Sequence, residues 1–492
     1  MNRRAFLAGT TGTTTLLAGC SGMLPTVGGN GTDPDGSDDG NGNSENDEGE
    51  NATTDGSGFP AEEATVVDFE TAPLSASVVG GMFSTDDRLY GAIDFAEPET
   101  EDGPARLVAH LENRKPFEQT FRPRRVVFFD DPARGDTEDR DSVYLAPTDE
   151  TEVTKVVPDA VQDDEGRWRV DSVRDDWYPE TLTLDSEEKL DAEFVLLGHH
   201  DHDEPAIEPG NYRFGWRDAG FTVAVWQTDE PGPAEGSRFA GEAVPALPQK
   251  DEMAWYHEAT PETEIFLRPG EETIEAPGRI EFELVNHTRE VASGNPYYWR
   301  LYKLVDGEWL PVHPWGWNLP AASIGPGGID ETALHCYHGE PIRASGARIV
   351  GHLGGGRYAY EEDYSVDGET HAAMFDLDAP ALSVGVEDDA VVHDEGEEII
   401  VTLPNHEDAR RPATFTVSRT EGTERRLIEE QLPRRPFRGF RNALALFEAG
   451  VEQVRVKTDR STALRPVDYD DGGTISVEYE GQAFEAVGEE LA

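Results

Sequence analysis

Along most of the chain apolar and polar residues alternate one by one, the period of a strand with one face in a core and one in water. Arg106-Leu-Val-Ala-His-Leu-Glu-Asn113 puts Leu107, Ala109 and Leu111 on one face, and Arg279-Ile-Glu-Phe-Glu-Leu-Val-Asn286 does so with Ile280, Phe282 and Leu284. Glu398-Ile-Ile-Val-Thr-Leu-Pro-Asn405 repeats the pattern with Pro404 just inside its end. Each run closes on Leu-x-Asn, 8 to 10 residues past a glycine (Gly103, Gly278, Gly396), and leads into a polar turn. Asparagine suits that place because its amide bonds local backbone and tolerates left-handed conformations. Three such runs, 173 and 119 residues apart, predict three copies of one β-domain.

Further strands are predicted at Arg125–Phe129, Glu193–Leu197, Tyr212–Trp216 and Phe221–Trp226 in the first copy. The second adds Tyr298–Tyr302, Arg348–Val350 and Ala373–Phe375; the third adds Ala381–Val384, Thr414–Val417, Val454–Val456 and Thr474–Tyr479. Gly and Pro separate them, and a single short helix is expected at Arg441–Ala449. The pattern predicts an all-β chain of three tandem antiparallel sandwiches, at 61–232, 263–378 and 379–492, with a Pro-rich linker at 233–262 that leaves room for a cleft.

Two stretches carry a family likeness. Pro209-Gly210-Asn-Tyr212-Arg-Phe214 resembles the "Pro-Gly-x-Tyr" that opens a late strand of prokaryotic immunoglobulin-like domains. Leu284-Val-Asn286, then Asn295-Pro-Tyr-Tyr298-Trp-Arg-Leu-Tyr-Lys-Leu-Val-Asp306-Gly307-Glu-Trp309, is similar to bacterial members with "Leu-x-Asn … Gly-x-Pro-Tyr-x-x-x-x-Lys-x-x-Asp-Gly-x-Trp", although Gly294 sits one residue early. The likeness is fullest over 263–378, partial over 65–230 and thin over 380–488. It implies immunoglobulin-like packing in each of the three sandwiches and an extracellular binding or structural module; it names no ligand and no catalytic residue.

The N-terminus says where such modules would work. Arg3-Arg4 stand directly before a short apolar stretch that closes on Leu17-Ala18-Gly19-Cys20. Paired arginines, a weakly apolar segment and small residues before a cut are the marks of an export signal over 1–20. Leu-Ala-Gly-Cys also resembles the lipobox of prokaryotic lipoproteins, which implies that Cys20 is lipidated and becomes the new N-terminus. Residues 5–19 are too short and too rich in Thr and Gly to span a bilayer. From 21 to 60 the chain is Gly, Asp, Asn, Ser, Glu and Thr, too poor in apolar groups to offset the entropy of ordering, so a disordered acidic tether is expected. About 40 such residues reach roughly 35 Å. Asn30, Asn51 and Asn286 each begin an N-glycosylation tripeptide.

Asp and Glu number 100 against 41 Lys and Arg, a formal charge of −59, and only six of the 41 are lysines. A surface this acidic repels itself until molar salt shortens the screening length to about 3 Å. Acidic, lysine-poor composition with a twin-arginine leader resembles a lipoprotein exported by salt-loving archaea. Nothing here would neutralise phosphates, so a nucleic-acid partner is excluded. With Cys20 lipidated, Cys336 has no partner for an intrachain disulfide, and each domain needs its own apolar core.

Two clusters merit a chemical reading. His199-His200-Asp201-His202-Asp203-Glu204 offers His199, His200 and His202 to a divalent ion, or is simply a solvated loop between strands. Trp309, Trp315 and Trp317 offer an aromatic face to a sugar or peptide, or plug a core or a domain seam. His335-Cys336-Tyr337-His338 has the wrong spacing for a copper site of the cupredoxin kind and reads as a buried thiol. No nucleophile elbow, zinc-protease helix or phosphate loop is present. No cofactor or catalysis is therefore expected. The expected role is that of a lipid-anchored, non-catalytic binding or structural protein outside the cell. Its expected partners are the membrane, through the lipid, and an envelope protein or glycan. The alternative is a substrate-binding lipoprotein for a sugar, peptide or metal ion.

Overall fold

The computed structural model describes residues 64–491, except 86–87, 131, 138–141, 175, 202–205, 217–218, 249–252, 343–347, 367, 424 and 468–472. Arg3, Arg4, Cys20, the tether and the tripeptides at Asn30 and Asn51 lie outside those residues. The described chain is built mainly of strands in several sheets, so the all-β class stands.

The first sheet has ten strands, all paired antiparallel, running from Val67–Asp68 at one edge to Met82–Ser84 at the other. It curls round two phenylalanines. Phe83 from an edge strand and Phe194 from a central one both meet Phe128, at 5.7 and 5.8 Å between ring centres. Phe128 and Phe129 belong to the segment predicted as a strand at 125–129. The structure instead makes it two 3-10 turns, Pro123–Arg125 and Val127–Phe129. Val126 to Phe129 are all buried, so the run plugs the interior and has no second face to alternate with. Each ring so buried contributes about 1.5–3 kcal/mol.

The second region is a two-sheet sandwich. Ile265–Pro269, Gly278–Asn286, Ile329–Cys336 and Arg348–Val350 form one sheet. Met253–Trp255, Thr370–Asp378, Gly356–Glu362, Trp299–Val305 and Glu308–His313 form the other, with Thr273–Glu275 added to Thr370–Asp378. Phe282 and Tyr360 stack across the gap at 4.0 Å. The hairpin joining Trp299–Val305 to Glu308–His313 is Asp306-Gly307, with φ of 50° and 83°, the left-handed pair a two-residue turn requires.

The segment expected as a linker does not hang free. Phe239, Leu247 and Trp255 lie on the outer face of this second sheet, against Tyr302, Trp309, Ala359, Ala372 and Met374. Trp309 Nε1 donates to Pro245 O at 3.0 Å, and Arg238 and Arg357 reach Asp376 and Glu242. The described residues of 233–262 thus form a strap with a small core of its own.

The third region departs from expectation. It is one mixed sheet of seven strands, in which Glu398–Thr402 runs parallel to Gln453–Asp459 and antiparallel pairs flank them. Two short helices, α1 (Arg438–Leu444) and α2 (Arg460–Leu464), pack on that sheet. Phe440 of α1 meets Phe415 edge-on at 4.9 Å, and a Cβ at Gly439 would strike that ring. The predicted helix survives, starting three residues earlier and ending five earlier. The predicted strand Ala381–Val384 is absent, and the second sheet of a sandwich is replaced by helices. The apolar faces of α1 and α2 supply the cover that another sheet would have given.

Polar contacts tie these regions into one compact unit, 64–492. Between the first two, Trp226 stacks on His287 at 5.1 Å and Arg289 pairs with Asp68. Ser77 Oγ donates to Pro326 O at 2.6 Å. Between the second and third, Lys303 pairs with the buried Glu430, and Arg434 donates to Gly351 O at 2.6 Å. Burial lowers the Arg434 guanidinium to about 10.

Candidate functional site

The histidine cluster hangs on a buried cation. Arg169 pairs with Asp163 at 2.6 Å and donates to the carbonyls of His199 and Asp201 at 3.0 and 3.2 Å. The His199 and His200 rings lie 4.2 Å apart, tilted by 38°, and His199 Nδ1 accepts the Asp201 N–H at 3.0 Å. A guanidinium under the loop repels a second cation, and one ring nitrogen is already engaged. His202 lies outside the described residues. Among the described residues no group of three or more His, Cys, Asp or Glu is placed to hold a metal.

The three tryptophans part company. Trp309 is buried beneath the strap, where it stacks on Trp255 at 5.8 Å. Trp315 lies in the seam with the third region, edge-on to Phe437 at 4.8 Å, with Arg425 over its ring. Trp317, like Trp315 half-buried, gains partners that its spacing in sequence did not suggest. Tyr298 stacks on it at 4.7 Å, and the Arg300 guanidinium lies 4.6 Å from its centre. Trp317 Nε1 donates to Trp299 O at 2.9 Å and Asn295 Nδ2 to Asn318 O at 2.7 Å, so two loops are pinned side by side. Tyr297 and Leu319 at their tips are 47% and 87% exposed.

Behind this face, period-two geometry sends neighbouring carboxylates to opposite sides of one strand. Glu361 accepts the Tyr302 hydroxyl at 2.7 Å on the strap side. Glu362 accepts Tyr360 Oη at 2.7 Å and Thr332 Oγ1 at 3.0 Å, and pairs with Arg348, on the inner side. The sheet itself separates the two carboxylates, so they do not face one substrate as a glycosidase pair does. Burial, then Glu362, raises nearby Asp330 to about 6. His371, opposite Glu362 in the strand register, is buried with no hydrogen bond to either ring nitrogen, and burial lowers it to about 4. Burial pushes the Cys336 thiol up to about 12, which makes it inert at neutral pH.

The third region carries a shallow cavity of about 250 Å³ between Glu429, Glu448 and Glu480, with Phe447 and Phe484 beside them. Burial, then Glu430 and Glu480, raises Glu429. The Asn286 tripeptide is closed to glycosylation in the folded chain: Asn286 is fully buried, and its amide donates to Glu290 O and Ile324 O, both at 2.9 Å.

No family model matches the chain, and no curated protein matches it. Among solved structures it is similar to the alkylpurine DNA glycosylase AlkC of Pseudomonas fluorescens at 20% identity, over 24% of this chain and 31% of that one, with a TM-score of 0.15. A polysaccharide lyase matches at 7% identity, over 61% and 35%, with a TM-score of 0.13. The alpha-2-macroglobulin of E. coli matches at 10%, over 85% and 25%, also at 0.13. The chain spans about a third or less of each, and at these scores the likeness bears on neither fold nor activity.

Proposed function

We propose that this protein is a lipid-anchored, non-catalytic binding or structural module on the outer face of a cell living in concentrated salt. The observation that carries the reading is the leader, in which Arg3-Arg4 and Leu17-Ala18-Gly19-Cys20 bracket one short apolar segment. The acidic, nearly lysine-free composition and the acid-rich stretch at 21–60 support it. The first two regions are read as immunoglobulin-like. Each closes a strand on Leu-x-Asn, and each has a Gly-x-Tyr whose hydroxyl bonds backbone four residues upstream: Tyr212 to Glu208 O at 2.9 Å, Tyr358 to Gly354 O at 2.6 Å. Such tyrosine corners recur in sandwich domains of that kind.

Mass spectrometry of the membrane-bound protein tests the reading. The N-terminal peptide should begin at Cys20 and carry the added mass of lipid, and Arg3→Lys with Arg4→Lys should hold the chain inside the cell. An intact chain that keeps Met1 and stays in the cytosol would overturn it.

A further inference from the structure

Ala381 to Val386 alternates exposed and half-buried residue by residue, the period of a strand, and Val384 and Val386 pack against the core of the third region. The segment nevertheless joins no sheet. Among the described residues no backbone N–H or C=O from Ala381 to Val384 is hydrogen-bonded. Bonding resumes only at its ends, where Pro380 O accepts the Gly355 N–H and Gly385 O accepts Arg441 Nε, both at 3.2 Å. A strand-like run with its ladder groups open is the kind of edge that an added strand takes.

Leu382 to Val384 also wall the cavity of about 250 Å³, and Glu429, Glu448 and Glu480 stand round it. None of the three carboxylates is ion-paired among the described residues. Other carboxylates of the third region are: Arg438 pairs with Glu387, Arg455 with Glu398 and Lys303 with Glu430. Arg419 lies 5.2 Å from the Phe447 ring centre, but it donates to the carbonyls of Phe447, Glu448 and Val451 and to Gln482 Oε1, not to a carboxylate. A buried group completes the wall. Tyr479 is only 7% exposed and lines the cavity, yet its hydroxyl makes no hydrogen bond among the described residues. Burial, then Glu429 and Glu480, raises that hydroxyl, which sets it beside those two carboxylates and keeps it a donor. A buried donor left open at a hollow asks for an occupant.

The chemistry of the walls narrows that occupant. Carboxylates repel an anion, and among the described residues no group of three or more His, Cys, Asp or Glu is placed to hold a metal. A guanidinium on an apolar stem suits both the carboxylates, which it bonds through its fork, and the rings of Phe447 and Phe484. The open backbone beside the hollow suits an extended chain that carries it. We propose that the third region binds an extended segment of a partner protein, which adds as a strand along Ala381–Val384 and sends an arginine into the cavity between Glu429 and Glu480. This names a partner for the binding module and rests on that reading, but not on the lipid anchor.

The test is fluorescence anisotropy with the full chain carrying Cys20→Ala, in about 1 M potassium chloride, where partly buried ion pairs are screened less than exposed ones. The probe is a short labelled peptide of alternating threonine and valine around one central arginine. Saturable binding is expected. Replacing its arginine by glutamine, or N-methylating the residues on either side to remove ladder donors, should each weaken it by at least about tenfold. Glu429→Gln, Glu480→Gln and Tyr479→Phe should each weaken it about threefold. Glu118→Gln, at an exposed carboxylate of the first region, should leave it unchanged, with circular dichroism confirming the fold of each variant. A peptide that does not bind overturns the proposal, as does binding indifferent to Glu429→Gln and Glu480→Gln. Tetramethylammonium or N-acetylarginine amide binding as tightly as the peptide, or a peptide insensitive to N-methylation, overturns it in favour of a small organic cation. A chain that binds no peptide but carries lipid at Cys20 in the membrane removes this proposal alone and leaves the anchored module standing.

Discussion

Asn286 and Asn405 close the same Leu-x-Asn signature and do opposite work. In the second region the strand runs through to Asn286 itself. The amide then donates to a carbonyl four residues on and to Ile324 O of the short strand Ala322–Ile324, while its oxygen accepts the Thr288 N–H at 3.1 Å. Asn113 does the same in the first region, donating to Phe117 O, also four residues on, and to Leu184 O and Asp185 O. In the third region Pro404 has no N–H to give a neighbouring strand. The strand stops at Thr402, and Pro404–His406 turns as a 3-10 helix. Asn405 Nδ2 then donates to Asp459 at 2.6 Å, and Asp459 caps α2 by accepting the Thr462 N–H at 2.8 Å. One proline moves the asparagine from locking a turn between sheets to steadying a helix. A signature shared by three segments therefore marks two kinds of fold.

The comparison can be broken by mutation. Asn113→Ala and Asn286→Ala each orphan several buried backbone groups and should cost about 3 kcal/mol, at roughly 1–3 kcal/mol for an unsatisfied group that stays buried. Asn405→Ala should cost about 1 kcal/mol, because Asp459 keeps its place at the helix end. Chemical denaturation in molar salt would measure all three, and equal losses would erase the distinction. The tyrosine corners give a smaller effect of the same kind. Tyr212→Phe removes a hydroxyl that donates to Glu208 O and accepts the Glu208 N–H, and Tyr358→Phe one that donates to Gly354 O; each should lose about 1 kcal/mol per bond.

A further effect is in pH. Asp330 in the second region is raised to about 6 from an ordinary 3.8, so the folded chain holds that proton more tightly than the unfolded one. Its contribution is complete below about pH 4 and fades as pH rises through about 6. Asp330→Asn should flatten that fall, visible as a smaller change of melting temperature between pH 4 and 6. Glu387 in the third region runs the other way. Burial alone would raise it, but Arg438 bonds it at 2.7 Å and 2.6 Å and holds it below the ordinary value. Its contribution is present above about pH 4.5 and is lost on acidification, so Glu387→Gln should remove sensitivity to acid only.

Much of the strand pattern was legible, since half-buried strands must alternate: Arg106–Asn113 and Thr474–Tyr479 form as predicted. Val126 to Phe129 misled because a fully buried run has no polar face, and a turn inside a core then looks like a strand. The strap was misread because prolines suggest a free linker, whereas Phe239, Leu247 and Trp255 are too widely spaced to form a period. The third region was misread because α2, five residues long, is too short to show a helical stripe, and the one helix that the pattern did show, α1, gave no sign that it would stand in place of a second sheet. At the candidate face, Trp317 was visible in the sequence but its partners were not. Tyr298 and Arg300 come from the start of the strand Trp299–Val305, and spacing along the chain does not report which loops a fold brings together.

The strap bears on how this protein can be cut. A fragment begun at Thr263, where the repeat suggests a boundary, would wet Trp309, Ala372 and Met374, all now under cover. It should clump as it leaves the ribosome, whereas one begun at Pro233 brings its own lid. The natural seam of the polypeptide therefore lies thirty residues upstream of the place where its pattern restarts.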